Sequence, residues 1–353
     1  CIKKLIGKIP KEYEIILIDK KDSFEYTPSL LKVITDQSYL HKISEKYGVL
    51  FPKAKIIISE KFKVYSDIII TEDEEIRYDY LVICLGNKIS IYVSNKKDIY
   101  TVKTISDALG IQKRINNSNE IAIIGGGLTG CELAAELATK TIKNISLIEG
   151  AERLVFRLPS RASSKVHKFL TKRKVDIYLG EKVLKNENNK LHTDKGNEIR
   201  FDLAIWVSGI ISDTSFLIKK DFGDAIDEKD RIEVNEYLQV KGFENIYAGG
   251  DICAIDEEKT AQMAEKHGIV IAQNILNTIN NEEFRLKKAK DSAITIRMKK
   301  ELVEYHAQSW AWLLSLGDYD ALFGKKKFVF GYKIPSMMKK MVEFLTMMRI
   351  KYF

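Results

Sequence analysis

Glu120-Ile121-Ala122-Ile123-Ile124-Gly125-Gly126-Gly127-Leu128-Thr129-Gly130 is the stretch that decides how this chain folds. Its first five residues are an apolar run of strand length, the form of a strand buried on both faces. Glycines at the spacing Gly125-x-Gly127-x-x-Gly130 then open a helix predicted to run to about Thr141. The next strand, Ile145-Ser146-Leu147-Ile148-Glu149, closes on an acid 24 residues after Gly125. Each part has a physical task. Gly125 permits the tight turn, Gly127 lets the backbone approach a pyrophosphate, and Gly130 allows close helix–strand packing. The helix N-terminus faces the phosphate charge, and Glu149 accepts hydrogen bonds from a ribose 2′-hydroxyl. A carboxylate there repels a 2′-phosphate, so the pattern favours NADH over NADPH.

Outward from this unit the same grammar recurs. Glu14-Ile15-Ile16-Leu17-Ile18-Asp19 is a second apolar run ending in an acid, after residues 1–9, which read as the tail of a helix that Pro10 ends. Residues 55–85 give short strands ending in Tyr80-Leu81-Val82-Ile83-Cys84-Leu85 and then Gly86. A helix is predicted over 104–118, a polar hairpin over 186–197, and a strand over 201–207 leading to Gly209. Asn245-Ile246-Tyr247-Ala248 runs as a strand into Gly249-Gly250-Asp251, and a helix with small residues follows over 260–280. Strand–helix–strand units bounded by glycines make this an α/β chain with parallel sheets. Counting back the usual twenty or so residues from Asp19 sets its glycine loop upstream of Cys1. The expectation is therefore a sequence that begins part-way into its first unit; the other reading is a short start on an ordinary strand.

Composition narrows the classes. At 353 residues the chain exceeds what one core usually serves, so two domains and an appendage are expected. Its 45% hydrophobic and 30% charged content excludes a disordered chain. Cys1, Cys84, Cys131 and Cys253 are widely spaced, which excludes a zinc ribbon, a CxxC redox site and a disulfide-stapled secreted fold. A reducing intracellular compartment follows as the default. No metal-ligand spacing and no transmembrane run appear. Of the net charge of +8, +7 lies in residues 324–353, where Glu343 stands alone against eight lysines and arginines. The basic excess is a tail, not a nucleic-acid face. Five of the seven methionines share that tail: Met337, Met338, Met341, Met347 and Met348.

Two acid-ended strands, Leu85-Gly86 after an apolar strand, and Tyr247-Ala248-Gly249-Gly250-Asp251 resemble the flavoprotein reductases with two dinucleotide-binding domains. In those one Rossmann-like unit holds FAD, and a second, inserted into it, holds NAD(P)H. Ser23-Phe24-Glu25-Tyr26-Thr27-Pro28-Ser29-Leu30-Leu31 and Thr260-Ala261-Gln262-Met263-Ala264-Glu265-Lys266-His267-Gly268 are similar to the flavin-side segments of the type II NADH:quinone oxidoreductases. Gly127-Leu128-Thr129-Gly130-Cys131-Glu132-Leu133-Ala134-Ala135-Glu136-Leu137 is similar to their nicotinamide-side segment. Where many members carry a second glutamine, this chain has Lys266.

The resemblance implies a domain plan. Residues 1–105 and 240–290 would form the FAD domain, 106–239 the NADH domain, and 291–353 a membrane-association or dimerisation region. It also implies roles: Asp19 on the FAD adenosine ribose, Gly86 near the phosphates, Gly250 and Asp251 at the ribityl or pyrophosphate. Thr27, Pro28, Ala261 and Gln262 would lie beside the flavin. Gly125, Gly127, Gly130, Glu149 and Gly209 would hold NADH. Gln262 would hydrogen-bond a quinone carbonyl, and Glu132 would relay protons. The residue pattern alone favours reading Glu132 and Glu136, four apart, as one hydrophilic stripe or as partners of neighbouring lysines. Cys84 reads as a core residue, while Cys131 and Cys253 both fall beside glycine loops, so a sulfide:quinone chemistry stays open. His267 and His306 read as core or surface residues.

The tail carries a second signal. Met338, Met341, Val342, Leu345, Met348 and Tyr352 fall on one helical face, opposite Lys339, Lys340, Glu343 and Thr346. That is the pattern of a helix lying in an anionic membrane interface, with Trp310 and Trp312 suited to the interfacial zone. An ordinary helix packed on the body or on a second subunit fits the same residues. The expected protein is a peripheral FAD enzyme on the cytoplasmic face of the cell membrane, oxidising NADH and reducing a quinone. Two rivals remain: a soluble reductase whose basic tail docks a ferredoxin or rubredoxin, and an NADH-binding redox sensor without turnover.

Overall fold

The computed structural model describes residues 1–290, 300–307 and 311–352. Strand Glu120–Ile124 lies at the centre of a five-stranded, wholly parallel sheet. The spatial order is Ile99–Tyr100, Leu203–Trp206, Glu120–Ile124, Asn144–Glu149, Asp176–Leu179. Both faces are covered, and so the central strands Glu120–Ile124 and Leu203–Trp206 read as apolar runs. Ile121, Ile123, Leu147 and Ile205 join one core with residues of helices Ile105–Ile115, Leu128–Lys140 and Ser160–Lys172. Ile124, Ile148 and Trp206 join the other, with Val183, Leu191 and Ile199 from an antiparallel three-stranded sheet. Helix Ile105–Ile115 is shorter than the sequence suggests; Thr104 and Asp107 close its N-terminus as a capping box.

Two further parallel pairs form the second body: Ile16–Asp19 with Lys55–Ile58, and Leu81–Ile83 with Ile246–Ala248. Ile57, Ile83, Ile246, Ala248 and Ile252 share its core. Segments more than 160 residues apart are thus hydrogen-bonded neighbours. The chain leaves this body, builds the five-stranded sheet, and returns. Helix Ala261–Lys290 packs on it and runs on well past residue 280.

The C-terminal region is more than a helix. Ala311–Leu316, Asp320–Lys325 and Phe328–Tyr332 form an antiparallel meander before helix Lys333–Tyr352. Alternation buries Trp312, Leu314 and Leu316, which join the core around helix Leu128–Lys140. This overturns the interfacial reading of Trp312, which is 3% exposed. Its ring sits so close to Gly324 that a Cβ there would lie 2.2 Å away. Trp310 lies outside the described residues. The final helix has the expected apolar face, but its other side is not a free solvent face. Ser336, Glu343 and Met347 are buried against the body, while Ile334, Met337, Met341, Val342, Phe344 and Leu345 are exposed.

Candidate active site

The five-stranded sheet reverses its winding direction between the ends of Glu120–Ile124 and Leu203–Trp206. In open parallel sheets ligands bind at such a switch point, outside the carboxyl ends of the strands. Gly125 has φ 117°, and a Cβ on it would lie 2.8 Å from the Ser208 Cβ, so the two loops touch only because it is glycine. A Cβ on Gly130 would fall 1.7 Å from the Gly125 carbonyl oxygen. Gly127, the helix N-cap, has open space where its side chain would be, leaving its backbone free to approach a phosphate. Glu149 turns back onto the loop: its carboxylate accepts from Gly126 N–H at 2.5 Å and Ala151 N–H at 2.7 Å. Gly126, given no task by the sequence reading, lets this happen. A Cβ there would sit 2.8 Å from the Glu149 Cβ and 2.7 Å from Leu154 Cδ2. Gly209 stands across the crevice with φ 70°.

On the second body Asp19 ends its strand, accepting from Lys21 N–H at 3.0 Å and the Tyr47 hydroxyl at 2.7 Å. Burial, followed by Asp19 itself, pushes the Tyr47 phenol far up. Gly86 and Gly250 are both left-handed, with φ 71° and 80°. The Asp251 carboxylate accepts from the Asn87 amide at 2.6 Å, and the Asn87 carbonyl in turn accepts from Lys103. Burial lowers the Lys103 ammonium's pKa. Cys84 departs from expectation. It is exposed, yet the desolvation of its thiol pushes its pKa up, the combination of a cleft wall rather than a core. Its Sγ lies 3.5 Å from where a Cβ on Gly249 would be. These left-handed glycines, the steered Asp251 and the exposed Cys84 fit a flavin dinucleotide. Thr27, Ala261 and Gln262 are exposed and Pro28 is half-buried, so all four side chains have accessible surface.

His267 is a support of that cleft that spacing did not reveal. It is 1% exposed, and its Nδ1 accepts from Gly250 N–H at 2.9 Å. Nε2 therefore carries the proton of a neutral ring. It lies 2.8 Å from Glu257 Oε1, too bent for a well-formed hydrogen bond, while Glu257 Oε2 accepts from the Tyr305 hydroxyl at 2.5 Å. Burial lowers the imidazole pKa against the opposing pull of Glu257. His306 is exposed and pairs with Glu304 at 3.2 Å.

Glu132, the fifth residue of its helix, lies beneath the C-terminal helix. It accepts from Ser315 N–H at 2.8 Å and is ion-paired with Lys339, both side chains 14% exposed. One turn on, Glu136 accepts from the Thr35 hydroxyl at 2.7 Å and pairs with Lys140 at 2.8 Å. Glu343 accepts from the Ser29 and Tyr39 hydroxyls, each at 2.6 Å, and from Lys32 at 3.4 Å. Arg349 reaches Glu265 at 3.1 Å, on the helix that carries Gln262. The C-terminal helix thus straps the flavin-side segments to the glycine-loop helix by its polar side. Sequence reasoning also missed the partners of Lys339 and Glu343: it placed both opposite the apolar face, without the acid and the hydroxyls they meet.

Residues 1–268 match the pyridine nucleotide-disulphide oxidoreductase family. The chain belongs to that family. A ferroptosis suppressor protein 1 from Taeniopygia guttata is 28% identical over 323 residues, covering 87% of this chain and 81% of that protein. The sulfide:quinone oxidoreductase of Aquifex aeolicus superposes with a TM-score of 0.79 at 18% identity, covering 99% of this chain and 88% of that one. NDH2 from Plasmodium falciparum, solved with NADH, gives 0.73 at 17% identity over 99% and 95%. The fold is the α/β flavoprotein fold with two dinucleotide-binding domains, and this family member is an FAD-dependent NAD(P)H oxidoreductase. Its family name carries a disulphide, but Cys131 and Cys253 are free, buried and in separate cores. Burial pushes both thiols far above the ordinary cysteine range. A thiol held protonated is a poor nucleophile.

Proposed function

We propose that this chain oxidises NADH and passes two electrons to a quinone at a lipid surface, without pumping protons. The observation that carries the reading is the C-terminal helix, ion-paired through Lys339 to Glu132 on its inner side and apolar on its outer side. Residues 106–239 would bind NADH, with Gly125, Gly127 and Gly130 at the pyrophosphate and Gly209 on the nicotinamide side. Glu149, already positioned by two backbone amides, would take the adenosine ribose hydroxyls and repel a 2′-phosphate. Residues 1–105 and 240–290 would hold FAD through Asp19, Gly86, Gly250 and Asp251. FAD, when bound, supplies two-electron hydride chemistry.

The residues under the strap handle protons. NADH, one proton and a quinone give NAD⁺ and a hydroquinone, so the acceptor needs two protons, one of them beyond the hydride. Glu132 and Lys339 form a donor–acceptor pair screened from bulk water, suited to hold and pass a proton. Gln262 is exposed and offers a donor to a quinone carbonyl. Residues 291–353 would seat the enzyme: exposed Met337, Met341, Phe344 and Leu345 meet the acyl boundary. Lys325, Lys326, Lys327, Lys333 and Lys340 are exposed around them, available to anionic headgroups. Among the described residues no helix is long and apolar enough to cross a membrane, which suits a helix lying flat. The apolar outer face favours lipid over an acidic protein partner, and the burial of Cys131 and Cys253 in separate cores speaks against sulfide chemistry through that pair.

The test is anaerobic reduction of the FAD-loaded protein by NADH in anionic vesicles, then addition of a quinone. Flavin bleaching followed by prompt reoxidation supports the reading. Lys339→Met should slow reoxidation at least tenfold and leave bleaching by NADH unchanged. Bleaching that a quinone does not reverse sinks the acceptor assignment.

A further inference from the structure

We propose that Tyr92 is the aromatic contact for the nicotinamide half of the bound dinucleotide, an inference that rests on the dinucleotide reading above. Glu149 ends the strand on one side of Glu120–Ile124, and so fixes the adenosine half on that side of the switch crevice. The other half then extends over the end of Leu203–Trp206, across Val207, Ser208 and Gly209. Tyr92 stands there, brought in by a segment that does not belong to the sheet.

Three contacts anchor that segment. Lys88–Ile89 pairs antiparallel with Ile210–Ile211, and Ser90 N–H donates to the Gly209 carbonyl at 2.9 Å. The Tyr92 ring meets Trp206 edge-on, 5.0 Å between centroids and 78° between planes. A Cβ on Gly209 would fall 2.6 Å from the Tyr92 hydroxyl, so glycine at 209 is what lets the phenol approach. Yet Tyr92 is 64% exposed, and its hydroxyl has only a long 3.4 Å contact with Ser208 Oγ. Packing explains the edge against Trp206. It does not explain a large aromatic surface left open at the mouth of the crevice.

A planar nicotinamide ring offers that surface a partner. The oxidised ring carries a positive charge and the reduced ring does not, so an aromatic face attracts NAD⁺ more than NADH. At an exposed site such a contact is worth about 0.5–1 kcal/mol, roughly a two- to fivefold change in affinity. ADP-ribose, which lacks nicotinamide, reaches only the Glu149 half and should ignore Tyr92.

The experiment titrates NAD⁺ and ADP-ribose by calorimetry into the FAD-loaded chain, as wild type, Tyr92→Phe and Tyr92→Leu. NADH affinity is taken from the concentration dependence of anaerobic flavin bleaching. Tyr92→Leu should weaken NAD⁺ by about two- to fivefold, weaken NADH less, and leave ADP-ribose unchanged; Tyr92→Phe should bind all three like wild type. Unchanged NAD⁺ binding in Tyr92→Leu overturns the proposal, as does an equal loss of ADP-ribose. Loss in Tyr92→Phe as large as in Tyr92→Leu shifts the contact to the hydroxyl and overturns stacking. A wild type that binds neither ligand removes the dinucleotide reading itself, a different failure.

Discussion

Replacing Glu343 by alanine tests whether the C-terminal helix is seated by its polar side. The carboxylate is 7% exposed and accepts from two hydroxyls at 2.6 Å and one ammonium at 3.4 Å. Hydrogen bonds to a charged group contribute about 1.5–3 kcal/mol each, and truncation leaves the Ser29 and Tyr39 hydroxyls without their acceptor. Relief of the carboxylate's own desolvation offsets part of that. A net loss of about 3 kcal/mol from helix docking follows, a roughly 150-fold shift in the local opening equilibrium. Native-state hydrogen exchange across residues 333–352 reads that shift directly. The expected result is accelerated exchange throughout the helix, with the strand amides of Glu120–Ile124 unaffected. Tyr39→Phe should give a smaller change of the same sign. If the helix were instead held by its methionine face, Glu343 would be a surface residue and its loss would change stability by less than about 0.5 kcal/mol. Exchange accelerated less than threefold would refute the docking.

Two further outcomes are expected. Gly130→Ala puts a Cβ 1.7 Å from the Gly125 carbonyl oxygen, so the turn must open. It should cost about 1–3 kcal/mol in stability and abolish measurable NADH binding, checked by calorimetry alongside thermal unfolding. The His267 pKa is lowered in the folded protein below its ordinary value by burial, helped by Lys259 and opposed by the carboxylates of Glu257 and Asp251. The unfolded chain then binds more protons than the folded one as pH falls below about 6.5. His267 therefore gives stability that is complete above that pH and lost on acidification. The melting temperature of wild type should drop between pH 7.5 and 5.5, and the drop should shrink in His267→Asn; an equal drop in both would refute it.

The glycine-loop unit was legible because its parts are local. Turn, helix start and acid-ended strand lie within residues 120–149; Gly125, Gly126 and Gly130 answer to contacts in that stretch or in the loops beside it, while Gly127 keeps open space. The second acid-ended strand and the Gly249-Gly250-Asp251 turn were legible for the same reason. Helical spacing likewise gave the C-terminal helix its two faces. Periodicity says which residues share a face; it does not say which face meets the body. That was decided by Ser29, Lys32 and Tyr39, which reach Glu343 across more than 300 residues of sequence. With three donors waiting, a buried carboxylate is better satisfied there than an apolar side chain, and Met337, Met338 and Met341 turn outward. The same limit hid Trp312, whose slot exists only because a neighbouring strand presents Gly324. It also hid Tyr92, an unremarkable residue in sequence that pairing with Ile210–Ile211 brings to the switch crevice. Sequence determined the elements that close on themselves, and tertiary structure decided which distant polar groups they had to satisfy.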